Sequence, residues 1–175
     1  MAAFAVAVLL AVVAASAQAG ASRPALSARG IGAVRFGVAK HRAVTELTRL
    51  LGRPSRRFFS DGCGPRYTEV EWGHLYAEFR LGKFSGFRYM TGAWLRRGVF
   101  PGATRSVSPK LKTARGISIG STLGQLRARY GKLTLIGTDR WQSRDGLVFY
   151  DDSKTEPPPP SIRLIEIKYG TCGDW

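Results

Sequence analysis

The sequence predicts an α+β fold made of two tandem repeats, each a helix followed by a three- to four-stranded antiparallel sheet. Two observations carry that expectation. The first is a motif that occurs twice: Ala28-Arg29-Gly30-Ile31 leads through Arg35-Phe36-Gly37 into a helix-like run ending at Gly52, and Ala114-Arg115-Gly116-Ile117 leads through Ile119-Gly120 into one ending at Gly131. Each copy then passes through strand-like segments to a closure of tyrosine, threonine, glycine and tryptophan, at residues 89–94 and 169–175. The second is a period of two between the helix of the first copy and its closure, the mark of a sheet covered on one side. A duplicated unit sets the architecture.

Taken in order, residues 1–19 read as a signal peptide: an uncharged apolar run, too short to span a bilayer, ends in Ala17-Gln18-Ala19 with small residues where a signal peptidase reads. No lysine or arginine precedes that run. The expected compartment is extracellular, or periplasmic within the cell envelope. Repeat 1 spans residues 20–94. After a short extended piece at Val34 and Phe36, the spacing of Val44, Leu47, Leu50 and Leu51 gives one helical face, stopped by Gly52 and Pro54.

Phe58 and Phe59 begin extended structure, and Asp61-Gly62-Cys63-Gly64-Pro65 is a turn. Residues 67–72 and 74–81 alternate cleanly. Thr68, Val70, Trp72, Leu75, Ala77, Phe79 and Leu81 make the greasy face; Tyr67, Glu69, Glu71, His74, Tyr76, Glu78 and Arg80 make the polar one. Residues 84–91 are the last strand of this copy, interrupted at Gly86. A basic linker, residues 95–112, separates the repeats.

Repeat 2 spans residues 113–175. Gly37 to Gly52 is 15 positions and Gly120 to Gly131 is 11, so the second helix is about one turn shorter. Ser121 or Thr122 caps it, and Leu123, Leu126 and Tyr130 form its buried stripe. Strands are expected at residues 133–136, 140–142, 147–150 and 161–169, with a hairpin turn at Arg144-Asp145-Gly146. The run Pro157 to Pro160 cannot join a ladder and reads as a stiff loop.

The totals bound the partner. The 175 residues carry 27 Lys plus Arg against 12 Asp plus Glu, a formal charge of +15. Residues 20–112 hold 18 basic and 5 acidic groups, residues 113–175 hold 9 and 7, so an anionic envelope polymer would meet the first half. The arginines are scattered rather than clustered, which argues against nucleic acid.

The tandem helix-then-strands plan, with one glycine entering each helix and another leaving it, resembles the β-lactamase-inhibitory-protein family. It is also similar to the single-repeat small lipoproteins of outer-membrane assembly. The resemblance implies two packed α+β units presenting a broad sheet surface to a protein partner. The chain departs from the inhibitors in carrying one cysteine per copy, and a β-lactamase target does not carry over.

Catalytic chemistry finds little support in the residues. His41 and His74 have no nucleophile in a recognisable setting, and the Gly116, Gly120, Gly124 spacing lacks the lysine of a phosphate loop. The two cysteines and two histidines lack zinc spacing, so no metal or other cofactor is expected. Glu69, Glu71 and Glu78 could assemble a carboxylate pair for a secreted hydrolase, but a solvated sheet face is the better account, since nothing in the sequence marks a pocket around them. Binding fits better. Tyr67, Glu69, Glu71, His74, Tyr76, Glu78 and Arg80 would offer tyrosine and arginine, the residue types that dominate interface energy.

The reading is therefore a secreted, non-enzymatic binding module, with an envelope-assembly or anionic-polymer-binding protein as the alternative. Cys63 and Cys172, each beside glycine in an exported chain, are expected to be bridged. The bridge would contribute about 4–5 kcal/mol. Thiol titration of freshly exported protein under denaturing, non-reducing conditions should find no free thiol; two per chain, the full complement, would remove the bridge.

Overall fold

The computed structural model describes residues 24–60, 67–91, 110–151 and 161–167. The predicted signal peptide, most of the linker, the proline run, both cysteines and the second closure lie outside the described residues.

Among the described residues the chain is mostly β, with twelve strands and two helices. A small mixed sheet opens it. Strands β1 (Ala25–Ser27), β2 (Gly30–Ile31) and β3 (Val34–Arg35) form an antiparallel meander. Gly30 makes the turn between β1 and β2: its φ is +139°, and a Cβ there would lie 2.0 Å from the Val34 carbonyl oxygen, so no larger residue fits. Helix α1 (Lys40–Leu51) follows, with Ala43 and Leu47 fully buried and Val44, Leu50 and Leu51 half-buried. The predicted helical face is correct, with Ala43 added at its centre.

Strands β4 (Arg56–Ser60), β5 (Tyr67–Trp72), β6 (Leu75–Arg80) and β7 (Lys83–Met90) pair in sequence order, all antiparallel. The Trp72 indole N–H donates to the Gly52 carbonyl at 2.9 Å and ties the end of α1 to the sheet. Past residue 110, β8 (Lys112–Thr113) runs parallel to β1, with Leu26 opposite Thr113. Helix α2 (Leu123–Tyr130) then starts on a capping box, in which Thr122 and Gln125 satisfy each other's backbone N–H. It is eight residues long against twelve in α1, the one-turn shortening that the spacing predicts. Strands β9 (Leu133–Leu135), β10 (Arg140–Ser143), β11 (Val148–Asp151) and β12 (Ile162–Ile167) complete the chain.

The expected architecture of two helix-plus-sheet repeats is not what forms. Eight strands from both halves belong to one sheet, in the order β4-β5-β6-β7-β12-β11-β10-β9, and β1, β2, β3 and β8 make a separate four-stranded mixed sheet. The join is the antiparallel pairing of β7 with β12, which sets Tyr89 opposite Ile165 and Arg88 opposite Glu166. The physical reason is edge closure. Two separate sheets would each keep an unpaired backbone row at β7 and at β12, and pairing those rows removes both.

The core is likewise single. Leu47, Val70, Trp72, Leu75, Phe79, Phe87 and Tyr89 belong to the same cluster as Leu126, Tyr130, Phe149 and Ile165. What the halves do share is local. Gly37 and Gly120 have φ of +85° and +84°, and their N–H groups donate to strand carbonyls, Phe84 at 2.8 Å and Ile162 at 2.7 Å.

One sheet and one core should unfold together. Ile165→Ala, at the join, should lower stability by about 2–5 kcal/mol and leave a single urea transition with coincident tryptophan-fluorescence and circular-dichroism midpoints. Two separated transitions would contradict the shared core.

Candidate functional site

The alternation in β5 and β6 assigns Tyr67, Glu69, Glu71, Tyr76, Glu78 and Arg80 to one face, and the register brings them together: Glu69 opposes Glu78, Glu71 opposes Tyr76, and Tyr67 opposes Arg80. That face is not open to solvent at its centre. Glu69, Glu71 and Glu78 are 0%, 1% and 3% exposed, and Tyr76 is equally closed. Only Tyr67 and Arg80 at one end, and His74 at the other, are half-buried. Burial holds His74 below its ordinary histidine value, in the neutral form.

Each buried carboxylate has a donor. Arg80 Nε donates to Glu78 Oε1 at 2.6 Å, and the Arg80 guanidinium lies 5.5 Å from the centre of the Tyr67 ring. Ser55 Oγ donates to Glu71 Oε1 at 3.1 Å. The Glu69 carboxylate accepts from the buried Arg88 guanidinium of β7.

Arg88 is the hub. Its guanidinium also lies 5.8 Å from the centre of the Tyr76 ring, and Glu166 faces it across the β7–β12 join. Burial lowers its pKa, opposed by the charges of Tyr67, Glu166 and Tyr150. Glu166 in turn accepts a 2.6 Å hydrogen bond from the Tyr150 hydroxyl. Burial first, and then the Glu166 charge and hydrogen bond, push the Tyr150 phenol far above its usual value, so it stays a donor. The face that the pattern offers as a binding surface is thus a closed, hydrogen-bonded network spanning both halves. Arg88, Tyr150 and Glu166 were not singled out in the sequence, because they fall in other strands whose partners only the topology supplies.

An exposed surface of different character lies at the far edge of the sheet. Among the described residues β9 pairs only with β10. Ile136 N–H donates to the Arg140 carbonyl at 2.9 Å, and the register sets Leu135 opposite Trp141. Antiparallel pairs alternate between bonded and unbonded, so Leu133 and Leu135 turn their backbone N–H and C=O outward. Leu135 is 52% exposed and Ile136 39%.

Beside them, the Arg127 guanidinium of α2 stacks 4.8 Å from the centre of the Trp141 ring. The Trp141 indole is fixed by a 2.7 Å hydrogen bond to the buried Asp151 carboxylate. Arg140 lies 6.0 Å from the Tyr150 ring centre on the neighbouring strand. The edge therefore combines outward backbone groups, exposed apolar side chains and preset arginine–aromatic pairs. Its signal in the sequence is the run Leu133-Thr134-Leu135-Ile136, which names a strand but not an edge.

Among the described residues no three His, Cys, Asp or Glu side chains are grouped to hold a metal, and no helix is long and apolar enough to cross a membrane. No family model, no curated protein and no solved structure matches this chain.

The network is testable by cycle. Arg88→Met, which strands Glu69 in the interior, should cost about 3–5 kcal/mol in urea unfolding at neutral pH. Adding Glu69→Leu should restore more than half of that loss, because the unpaired charge goes with it. Additive losses in the double variant would show that the two side chains act independently.

Proposed function

We propose that the protein is an exported, non-enzymatic binding module that takes up an extended, acidic segment of a partner protein along the open edge of β9. The observation that carries this reading is the edge itself, with outward backbone groups at Leu133 and Leu135 and Leu135 half out in solvent. A strand added there would gain main-chain hydrogen bonds, with side-chain contacts on alternate residues setting specificity. Arg127, Lys132 and Arg140 flank the edge, which suits an acidic partner. Trp141 and Arg127, already held in place, lose little freedom on binding.

A protected edge is the plain alternative, since β9 is only three residues long and Lys132 precedes it, both devices that discourage pairing. Leu135 and Ile136 do not fit that account, because guarded edges carry charge or proline where these two stand. A binding role also agrees with the state of the sheet carboxylates. Glu69, Glu71 and Glu78, the groups from which a hydrolase would draw its acid and base, are closed from solvent and bonded to Arg88, Ser55 and Arg80. Export rests on the apolar N-terminal run, and the resemblance to inhibitory proteins points to the same class of role, a sheet presented to another protein.

Capture from secreted and envelope fractions should be run with the wild type, with Leu135→Asp/Ile136→Asp, and with Leu81→Asn as a control at an exposed apolar site remote in sequence from the edge. The expected outcome is one partner, held by wild type and control and weakened at least tenfold by the double aspartate variant at an unchanged melting temperature. That binding should weaken only in part at high salt, since the main-chain and apolar contacts remain, whereas attachment to an anionic polymer collapses as salt rises. Equal capture by all three proteins would overturn the edge as the site.

A further inference from the structure

A second concave feature lies in the part of the chain that composition makes nearly neutral. A hollow of about 610 Å³ is lined by Arg115, Tyr130, Lys132, Thr134 and Arg144. Its three cations come from three places: the turn after β8, the residue just past α2, and the hairpin between β10 and β11. Among the described residues no acidic side chain lines it. The neighbouring Asp145 carboxylate accepts a 2.5 Å hydrogen bond from Ser143 Oγ, and its charge reaches Tyr130 from the side.

Arg115 is set in advance. It stacks 4.8 Å from the centre of the Tyr130 ring and donates to the Arg129 carbonyl at 3.1 Å. That bond also covers part of the negative end of α2, which would otherwise repel an anion here. Lys132 and Arg144 are exposed and have no ion-pair partner among the described residues. Tyr130 forms the floor, packed edge-on against Phe149 with ring centres 5.1 Å apart.

We propose that this hollow is a binding site for a phosphate dianion, with Arg115 as the fixed fork, Lys132 and Arg144 closing from the sides, and Tyr130 as the base. The site does not depend on the β9 edge reading. Three cations suit a dianion better than a single carboxylate, which one arginine already satisfies. A bound phosphate relieves the mutual repulsion of cations held around one hollow.

The test must separate a site from the general pull of a chain with charge +15. Inorganic phosphate is titrated at fixed ionic strength into wild type, Lys132→Gln/Arg144→Gln, and a charge-matched control, Arg29→Gln/Arg42→Gln, whose side chains are equally exposed. Amide and arginine-side-chain shifts in two-dimensional NMR report the position. Saturable shifts should centre on Arg115, Tyr130, Thr134 and Lys132, and the site variant should bind at least tenfold more weakly while the control binds like wild type. Equal weakening in both variants, or shifts spread over the other basic residues, would overturn the proposal. So would the absence of saturation in the wild type. A parallel arm with vesicles containing phosphatidic acid distinguishes a lipid phosphate from a free one: competition by inorganic phosphate assigns the lipid to this site, and vesicle binding that survives in the site variant assigns it elsewhere.

Discussion

The pairing of β7 with β12 is the contact on which the rest of the molecule depends. It converts two four-stranded pieces into one sheet, brings Ile165 to Tyr89 on the helix side, and brings Glu166 to Arg88 on the other. Without it the aromatic core under α1 and the one under α2 would be separate and small. With it, α1 and α2 share a single apolar layer, and among the described residues only β4 and β9 remain as edges of the long sheet.

The opposite side of that sheet shows how charge can be used inside a fold. Glu69, Glu71, Glu78 and Glu166 are all buried, with Arg88 bonded to Glu69 and Arg80 to Glu78. Taking such groups out of water costs more than their attraction repays unless the geometry is good and further donors complete it. Ser55 and the Tyr150 hydroxyl supply those donors. Such a network adds little net stability. It does fix register, because a shift of one residue along β7 would carry Arg88 to the apolar side and leave Glu69 without its cation.

How much of this was legible in the sequence follows a clear division. Local order was readable: the ends of both helices at Gly52 and Gly131, the Thr122 cap, the alternation in β5 and β6, and the hairpin at Arg144-Asp145-Gly146 all have short-range causes. Long-range order was not. Nothing in the residues of β7 or β12 says that they pair, and so the duplicated motif suggested a sheet in each half where one long sheet runs through both. The same blindness affected the site. A polar stripe in a strand looks alike whether water or more protein lies over it, so Glu69, Glu71 and Glu78 passed for a solvated face. Arg88 was missed because its role depends on Glu69, nineteen positions earlier and two strands away. Leu135 and Ile136 were read as ordinary strand residues, because edge position belongs to the topology.

The parallel pairing of β1 with β8 bears on the order in which the chain acquires its structure. Leu26 meets Thr113 across that ladder, and the Ala114 N–H donates to the Leu26 carbonyl at 3.3 Å. Contacts between residues so distant in sequence are entropically late, because a long loop must close before they return any energy. During synthesis the first strand of the fold emerges early yet waits for a partner that follows four of the eight strands of the larger sheet. The meander of β1, β2 and β3 and the first helix can form beforehand, but their small sheet stays open on one side until residue 113 arrives. A nascent chain stopped short of that point exposes one edge of its N-terminal strand, an open row of backbone donors and acceptors to which another extended segment could add.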